Sequence, residues 1–105
     1  MNTLSYLKLN SLSRYLMPFY VYIIQSHIDK SYYKGSSEDP LRRLMQHNNS
    51  ESRYTSAKIP WKIVYAEICA DKREALIREK AMKKYGHERI EKLINSAKNI
   101  VTSLE

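Results

Sequence analysis

Five side chains in this sequence are of the types that do phosphate and proton chemistry: Tyr22, Tyr33, Arg43, His47 and Glu79. A phenol hydrogen-bonds a phosphate or a water, and beside a metal or an arginine its pKa of ~10 falls enough for it to accept a proton. A guanidinium presents a planar fork that matches two phosphate oxygens. An imidazole relays a proton or binds a metal. A carboxylate turned inward requires a cation, whether arginine, lysine or metal. Spacing alone leaves each residue an ordinary alternative. Tyr22 and Tyr33 also read as cross-strand aromatics of a core. Arg43 and His47, four apart, stand one turn above another on a helix, a common pairing. Glu79 lies near Ala75, Leu76 and Met82 on the apolar side of its helix, or at the boundary where it pairs with Lys83. His27, His47 and His87 show no metal-ligand spacing, and there is no Gly-rich phosphate loop or Ser/His/Asp set.

These residues need a scaffold. "FYVYIIQS" (19–26) is β-branched and aromatic, so it predicts a strand with Tyr20, Tyr22 and Ile24 on one face. "HIDK" is a polar turn. "SYYKGS" (31–36) completes a hairpin, with Tyr33 and Gly35 pointing one way and Tyr32, Lys34 and Ser36 the other. Asp39-Pro40 starts a helix with an apolar stripe of Leu41, Leu44 and Met45. "HNNSESRYTSAK" (47–58) is a polar loop that leaves Arg53, Tyr54 and Lys58 for a partner. "WKIVYAEICA" (61–70), apolar on both faces apart from Lys62 and Glu67, predicts the central strand. Asp71 and Glu74 cap a second helix that runs to about Tyr85 and stops at Gly86. Ile90, Leu93, Ile94 and Ala97 mark a third, amphipathic helix. The predicted fold is α+β, a small three-stranded sheet flanked by helices in the order β-β-α-β-α-α. Residues 1–16 read as a loose N-terminal extension, 17–98 as the domain and 99–105 as a tail.

A chain of 105 residues makes one domain and buries about two-thirds of its unfolded surface without disulfides. The single cysteine, Cys69, reads as a small buried hydrophobe and fits a reducing cytoplasm. No apolar run reaches the ~18 residues of a membrane span. Eighteen Lys and Arg against eleven Asp and Glu leave +7, concentrated in residues 42–62 and 71–98. Cationic surface of this kind attracts phosphate polymers, although a solvated helix face gives the same composition.

Taken in order, these stretches resemble the GIY-YIG nuclease superfamily, and most closely the small single-domain branch related to the excinuclease C catalytic domain. The resemblance covers about 17–85. "YVY" (20–22) stands where the family has GIY, and "YKG" (33–35) where it has YIG. "GSSEDPLRRLMQHN" is similar to the family's glycine, turn and arginine helix. "PWKIVYAEICADKREALIREKAMKK" is similar to the next strand and the helix bearing the metal-binding glutamate. Tyr20 replaces the first motif's glycine, and Lys34 the second motif's isoleucine.

The resemblance implies a metal-dependent endonuclease acting on DNA, directed by structure rather than sequence, as in excinuclease-like repair. Glu79 would hold one Mg²⁺ or Mn²⁺ ion. Tyr22, with Tyr33 or His47, would orient or deprotonate the attacking water, and Arg43 would neutralise the phosphate. Gly35 would leave room beside the site. Lys34, Arg42, Arg53, Tyr54, Lys58 and Lys62 would hold the strand by its backbone. A protein partner would supply specificity. The alternative is a non-catalytic nucleic-acid-binding module that keeps the same fold.

Overall fold

A computed structural model describes residues 18–104; the expected extension at 1–16 lies outside the described residues. Three strands form one antiparallel sheet: β1 (Phe19–Ser26), β2 (Tyr32–Ser37) and β3 (Trp61–Cys69), in the order β2-β1-β3. Helix α1 (Pro40–Asn48) joins β2 to the loop before β3, and α2 (Lys72–Met82) and α3 (His87–Ile94) follow β3. The α+β class and the element order are those the sequence predicts.

Local signals set most boundaries. The hairpin turns through Lys30, which takes a positive φ of 63°. Ser26 closes it: its Oγ accepts from the Ile28 amide at 3.1 Å and donates to the Lys58 carbonyl at 2.8 Å. Asp39 accepts the Arg42 amide at 3.1 Å, with Pro40 at the first turn of α1. Asp71 accepts the Glu74 amide at 2.8 Å, and Glu74 reaches back to the Ala70 amide at 3.1 Å, a reciprocal cap.

The sheet has two different faces. Val21, Ile23, Tyr65 and Cys69 pack with Ala75, Met82 and Ile90 from α2 and α3. Burial pushes the Cys69 thiol up to about 11, so it behaves as the expected small hydrophobe. On the opposite face Tyr22, Ile24 and Trp61 pack with Tyr33, Leu44, Ile59 and Ile63.

Several sequence expectations need correction. β1, not β3, is the central strand. β3 reads as central because its outer edge is also covered. Ile100 donates its amide to the Ala66 carbonyl at 2.9 Å, and the Asn99 amide group donates to the Val64 carbonyl at 2.9 Å while its oxygen accepts from the Ala66 amide at 3.2 Å. Residues 99–104 thus blunt an edge that would otherwise be exposed. Helix α2 ends at Met82 rather than Tyr85, and Gly86 has a negative φ and caps the start of α3. Met45 and Leu76, placed on apolar stripes by spacing, are exposed, as is Ala97.

Candidate active site

Tyr22 stands at the middle of the central strand, opposite Gly35 on β2 and Ala66 on β3. Both neighbours are small, so the ring lies flat across the hairpin. A Cβ at Gly35 would sit 2.6 Å from the Tyr22 hydroxyl and 2.7 Å from Cζ, closer than van der Waals contact allows. The glycine of the second motif therefore exists to seat this phenol, a tighter version of the room expected beside the site. Its φ is not positive, so backbone freedom is not what it supplies.

The phenol meets His47. Tyr22 Oη lies 3.0 Å from His47 Nε2, and His47 Nδ1 lies 2.7 Å from Thr55 Oγ1. The Thr55 hydroxyl faces the Ser52 carbonyl at 3.4 Å, which can only accept. This order assigns Nδ1–H as donor to Thr55 and leaves Nε2 to accept the phenol proton. Tyr22 is 1% exposed and His47 0%. Burial raises the phenol to about 12, against the pull of Arg43, whose hydrogen bond and charge favour the phenolate. Burial, then the charge of Arg43, lowers the imidazole to about 4. At neutral pH the resting pair is therefore a phenol and an uncharged imidazole.

Three more groups surround this pair. The Tyr33 ring packs edge-on against His47, with centroids 5.0 Å apart. Arg43, one turn before His47 on α1, is half-buried and donates to the Gln46 side chain. Glu79 comes from α2, on the side of its buried neighbours Ala75 and Met82. The charges of Tyr33 and Glu79 both oppose ionisation of Tyr22, which places them within electrostatic reach of its hydroxyl. Glu79 also pairs with Lys83 at 3.0 Å, its side chain 17% exposed and that of Lys83 57%. So the two descriptions that spacing leaves open for Glu79, inward-facing and lysine-paired, both hold.

The loop 47–58 is pinned by groups that spacing does not reveal. Asn48 accepts the Trp61 amide at 2.7 Å and donates to the Trp61 carbonyl at 2.9 Å. The indole of Trp61 donates to the Thr55 carbonyl at 2.9 Å. Thr55 is thereby fixed under His47. The only trace of this in the sequence is polar residues next to a tryptophan, which is too common a pattern to read.

The residues expected to hold a nucleic-acid backbone do not form one group. Lys34 and Tyr54 line an open cavity of about 480 Å³ with Tyr32, Tyr33 and Lys83. Lys58 is instead committed to the hairpin turn, paired with Asp29 at 3.1 Å. Arg42 pairs with Glu38 at 3.4 Å, at the surface. Arg53 and Lys62 are exposed, in the loop and on β3.

Among the described residues no three His, Cys, Asp or Glu side chains cluster to hold a metal. Among the described residues, Glu79 is the carboxylate whose charge reaches the Tyr22 hydroxyl. One carboxylate does fit a hard ion of the Mg²⁺ type, which commonly keeps several waters and completes its shell with substrate phosphate oxygens.

Comparison with known proteins shows the family. A family profile described as the GIY-YIG catalytic domain matches residues 18–92. A UPF0213 protein of Streptococcus pneumoniae serotype 4 is 34% identical over 89 residues, covering 82% of this chain and 89% of the relative. The UPF0213 protein SSP2268 of Staphylococcus saprophyticus is 36% identical over 77 residues, covering 72% of this chain and 93% of that one. The solution NMR structure of the UPF0213 protein BH0048 from Bacillus halodurans superposes with a TM-score of 0.50 at 28% identity, covering 81% of this chain and 90% of that one. With the glycine-seated phenol, the arginine helix and the later glutamate in the matched order, the chain belongs to the GIY-YIG catalytic-domain family.

Proposed function

We propose that this chain is a divalent-metal-dependent endonuclease that hydrolyses phosphodiester bonds in DNA, directed by strand structure rather than by sequence. The observation that carries this reading is the chain of contacts from Gly35 through Tyr22 and His47 to Thr55, with the charges of Arg43 and Glu79 within electrostatic reach of the same hydroxyl.

In this reading Tyr22 Oη orients the attacking water and takes its proton as the phenol passes its own to His47 Nε2. Nδ1–H stays on Thr55 throughout, so the ring keeps one orientation. The imidazolium so formed is strongly acidic, because burial holds that group at about 4, and it returns its proton to Tyr22 Oη as the phenol hands the water-derived proton to the leaving oxygen. Arg43 neutralises charge gathering on the phosphate oxygens. Glu79 would hold one Mg²⁺ or Mn²⁺ ion, which when bound supplies Lewis-acid stabilisation of the leaving oxygen. Lys83 does not block this role: its own side chain is exposed, and an i,i+4 helix pair contributes only about 0.3–0.5 kcal/mol and exchanges readily.

The Glu79–Lys83 pair also favours a second reading. The ammonium already balances the carboxylate, as expected of a non-catalytic nucleic-acid-binding module that keeps the fold. Plasmid nicking with Mg²⁺ or Mn²⁺ separates the two. For the enzyme, Glu79→Ala lowers the rate by about 10²–10³. Equal background cleavage by wild type and variant rejects the enzyme and leaves the binding module, provided that DNA affinity falls steeply with salt.

A further inference from the structure

Helix α2 departs from the usual pattern of a surface helix, whose apolar residues face the core. Half-buried Arg78 and Glu79 lie on its sheet side with Ala75 and Met82, while Leu76 and Ile77 face away. Leu76 is 46% exposed and Ile77 57%. With about 3.6 residues per turn, these two stand on either side of a line that runs from Arg73 through Lys80 toward Lys84. All three cations are exposed. Among the described residues none of them pairs with a carboxylate. Lys83, by contrast, is committed to Glu79 at 3.0 Å.

Single exposed aliphatics are ordinary. Here two adjoin each other among cations of one sign, and the stems of Arg73 and Lys80 widen the apolar area beneath their charged ends. An apolar centre with a polar rim is the anatomy of a small docking surface.

The sign of the rim selects the occupant. A second copy meeting this face with the same face would set cation against cation, which like-charge repulsion opposes. Residues 1–17 contain Lys8 and Arg14 and no carboxylate, so they suit it no better. A nucleic-acid backbone would match the cations but leave both aliphatics unused, since bases stack on aromatic rings. A lipid surface would use both kinds of group. Yet the two side chains together carry fewer carbons than one myristoyl chain, which by itself binds membranes only marginally. A protein helix with apolar residues along one side and carboxylates beside them satisfies every group.

We propose that the outer face of α2, formed by Arg73, Leu76, Ile77 and Lys80, docks an acidic amphipathic helix of a partner protein. Apolar side chains of that helix seat against Leu76 and Ile77, and its carboxylates meet Arg73, Lys80 and Lys84. Leu76 stands one turn before Glu79, so the docked helix lies beside the candidate active site. The surface does not depend on the nuclease reading, because a non-catalytic binding module would present it as well.

The test uses the full chain and two labelled synthetic helices of equal length with the same leucine stripe, one flanked by glutamates and the other by lysines. Fluorescence anisotropy should show the acidic helix binding at least about tenfold more tightly than the basic one. Leu76→Ser combined with Ile77→Ser should weaken binding of the acidic helix at least about tenfold, as for a central apolar contact. Arg73→Glu combined with Lys80→Glu should reverse the preference, so that the basic helix binds the more tightly. All four residues are exposed, so these variants fold, and circular dichroism checks this. A reversal is also a gain of binding, which a misfolded chain does not give. Equal binding of the two helices, no measurable binding, or a preference unchanged by either double substitution overturns the proposal. So does flotation with phosphatidylserine vesicles that is lost in the Leu76→Ser, Ile77→Ser variant, since the face would then be a lipid-binding one.

Discussion

The two faces of the sheet each carry a buried tyrosine in a polar network, and the networks end differently. On the α2/α3 face the Tyr65 hydroxyl donates to Glu67 at 2.6 Å. Glu67 is gripped by the Arg78 fork at 3.0 and 3.3 Å, and Arg78 donates onward to the Tyr85 hydroxyl at 3.0 Å. The Arg89 guanidinium lies 3.7 Å from the Tyr85 ring centre. Every charge there has a fixed partner, and burial and the Glu67 contact push the Tyr65 phenol above its usual range. On the other face Tyr22 meets a base, not an acid, and the charges that reach its hydroxyl are a half-buried Arg43 and, from α2, a Glu79 held by one exposed lysine. A closed network stabilises; a network with exchangeable ends is available to a substrate.

That contrast predicts opposite responses to removing a charge. Glu79→Ala should give the largest effect on rate, the loss of nicking stated above, while a denaturant melt shifts by no more than about 0.5 kcal/mol, as for an i,i+4 helix pair whose lysine is exposed. Arg78→Ala should do the reverse. It leaves Glu67, 21% exposed, without its fork, and breaking such a buried pair costs roughly 3 kcal/mol of stability. A small loss at Arg78, or a large one at Glu79, would erase the distinction between the networks.

Gly35→Ala comes next. The added methyl would meet the Tyr22 ring within 2.7 Å, and that ring is 1% exposed with nowhere to go. Overpacking of this kind costs about 1–3 kcal/mol. Combined with Tyr22→Ala it should cost less than the sum of the two single changes, because the clash partner is gone. Strict additivity in the melts would show that the two residues do not press on each other.

The smallest effect is the pH response of His47. Its folded pKa is about 4, below the usual 6.5. The unfolded chain therefore binds more protons between those values, and stability falls as pH drops through that window. From pH 7 to 5 the loss is about 1–2 kcal/mol. His47→Gln should flatten this slope. Asp29 is held well below the usual carboxylate range by Ser31 and then Lys58, so its contribution is lost only at lower pH, below about 4. A wild-type melt that is unchanged between pH 7 and 5 would mean that His47 is not the uncharged, desolvated partner of Tyr22.

Several features were legible because they are local. Alternation gave the hairpin faces, and Asp39-Pro40 and Asp71…Glu74 gave two helix starts that the structure keeps. The family resemblance named Tyr22, Tyr33, Gly35, Arg43, His47 and Glu79, which no spacing rule would have joined. The sequence does not tell β3 from a central strand, because an apolar strand looks the same whether its edge is paired by a strand or covered by Asn99 and Ile100. Thr55 and Asn48 go unassigned because their roles depend on partners distant in sequence, and spacing reads Lys83 only as the partner of Glu79, not as part of a cavity wall.

The sequence by itself determined the elements, their order and which residue types could act on a phosphate, since propensity, capping and period depend only on near neighbours. The tertiary structure alone decided that His47 is sealed beneath Tyr22, that Gly35 is the space the phenol fills, that Lys58 is committed to the hairpin turn and that Lys34 opens onto a cavity. Burial and partner choice follow from contacts between residues far apart along the chain, and those contacts exist only once the sheet and helices have packed.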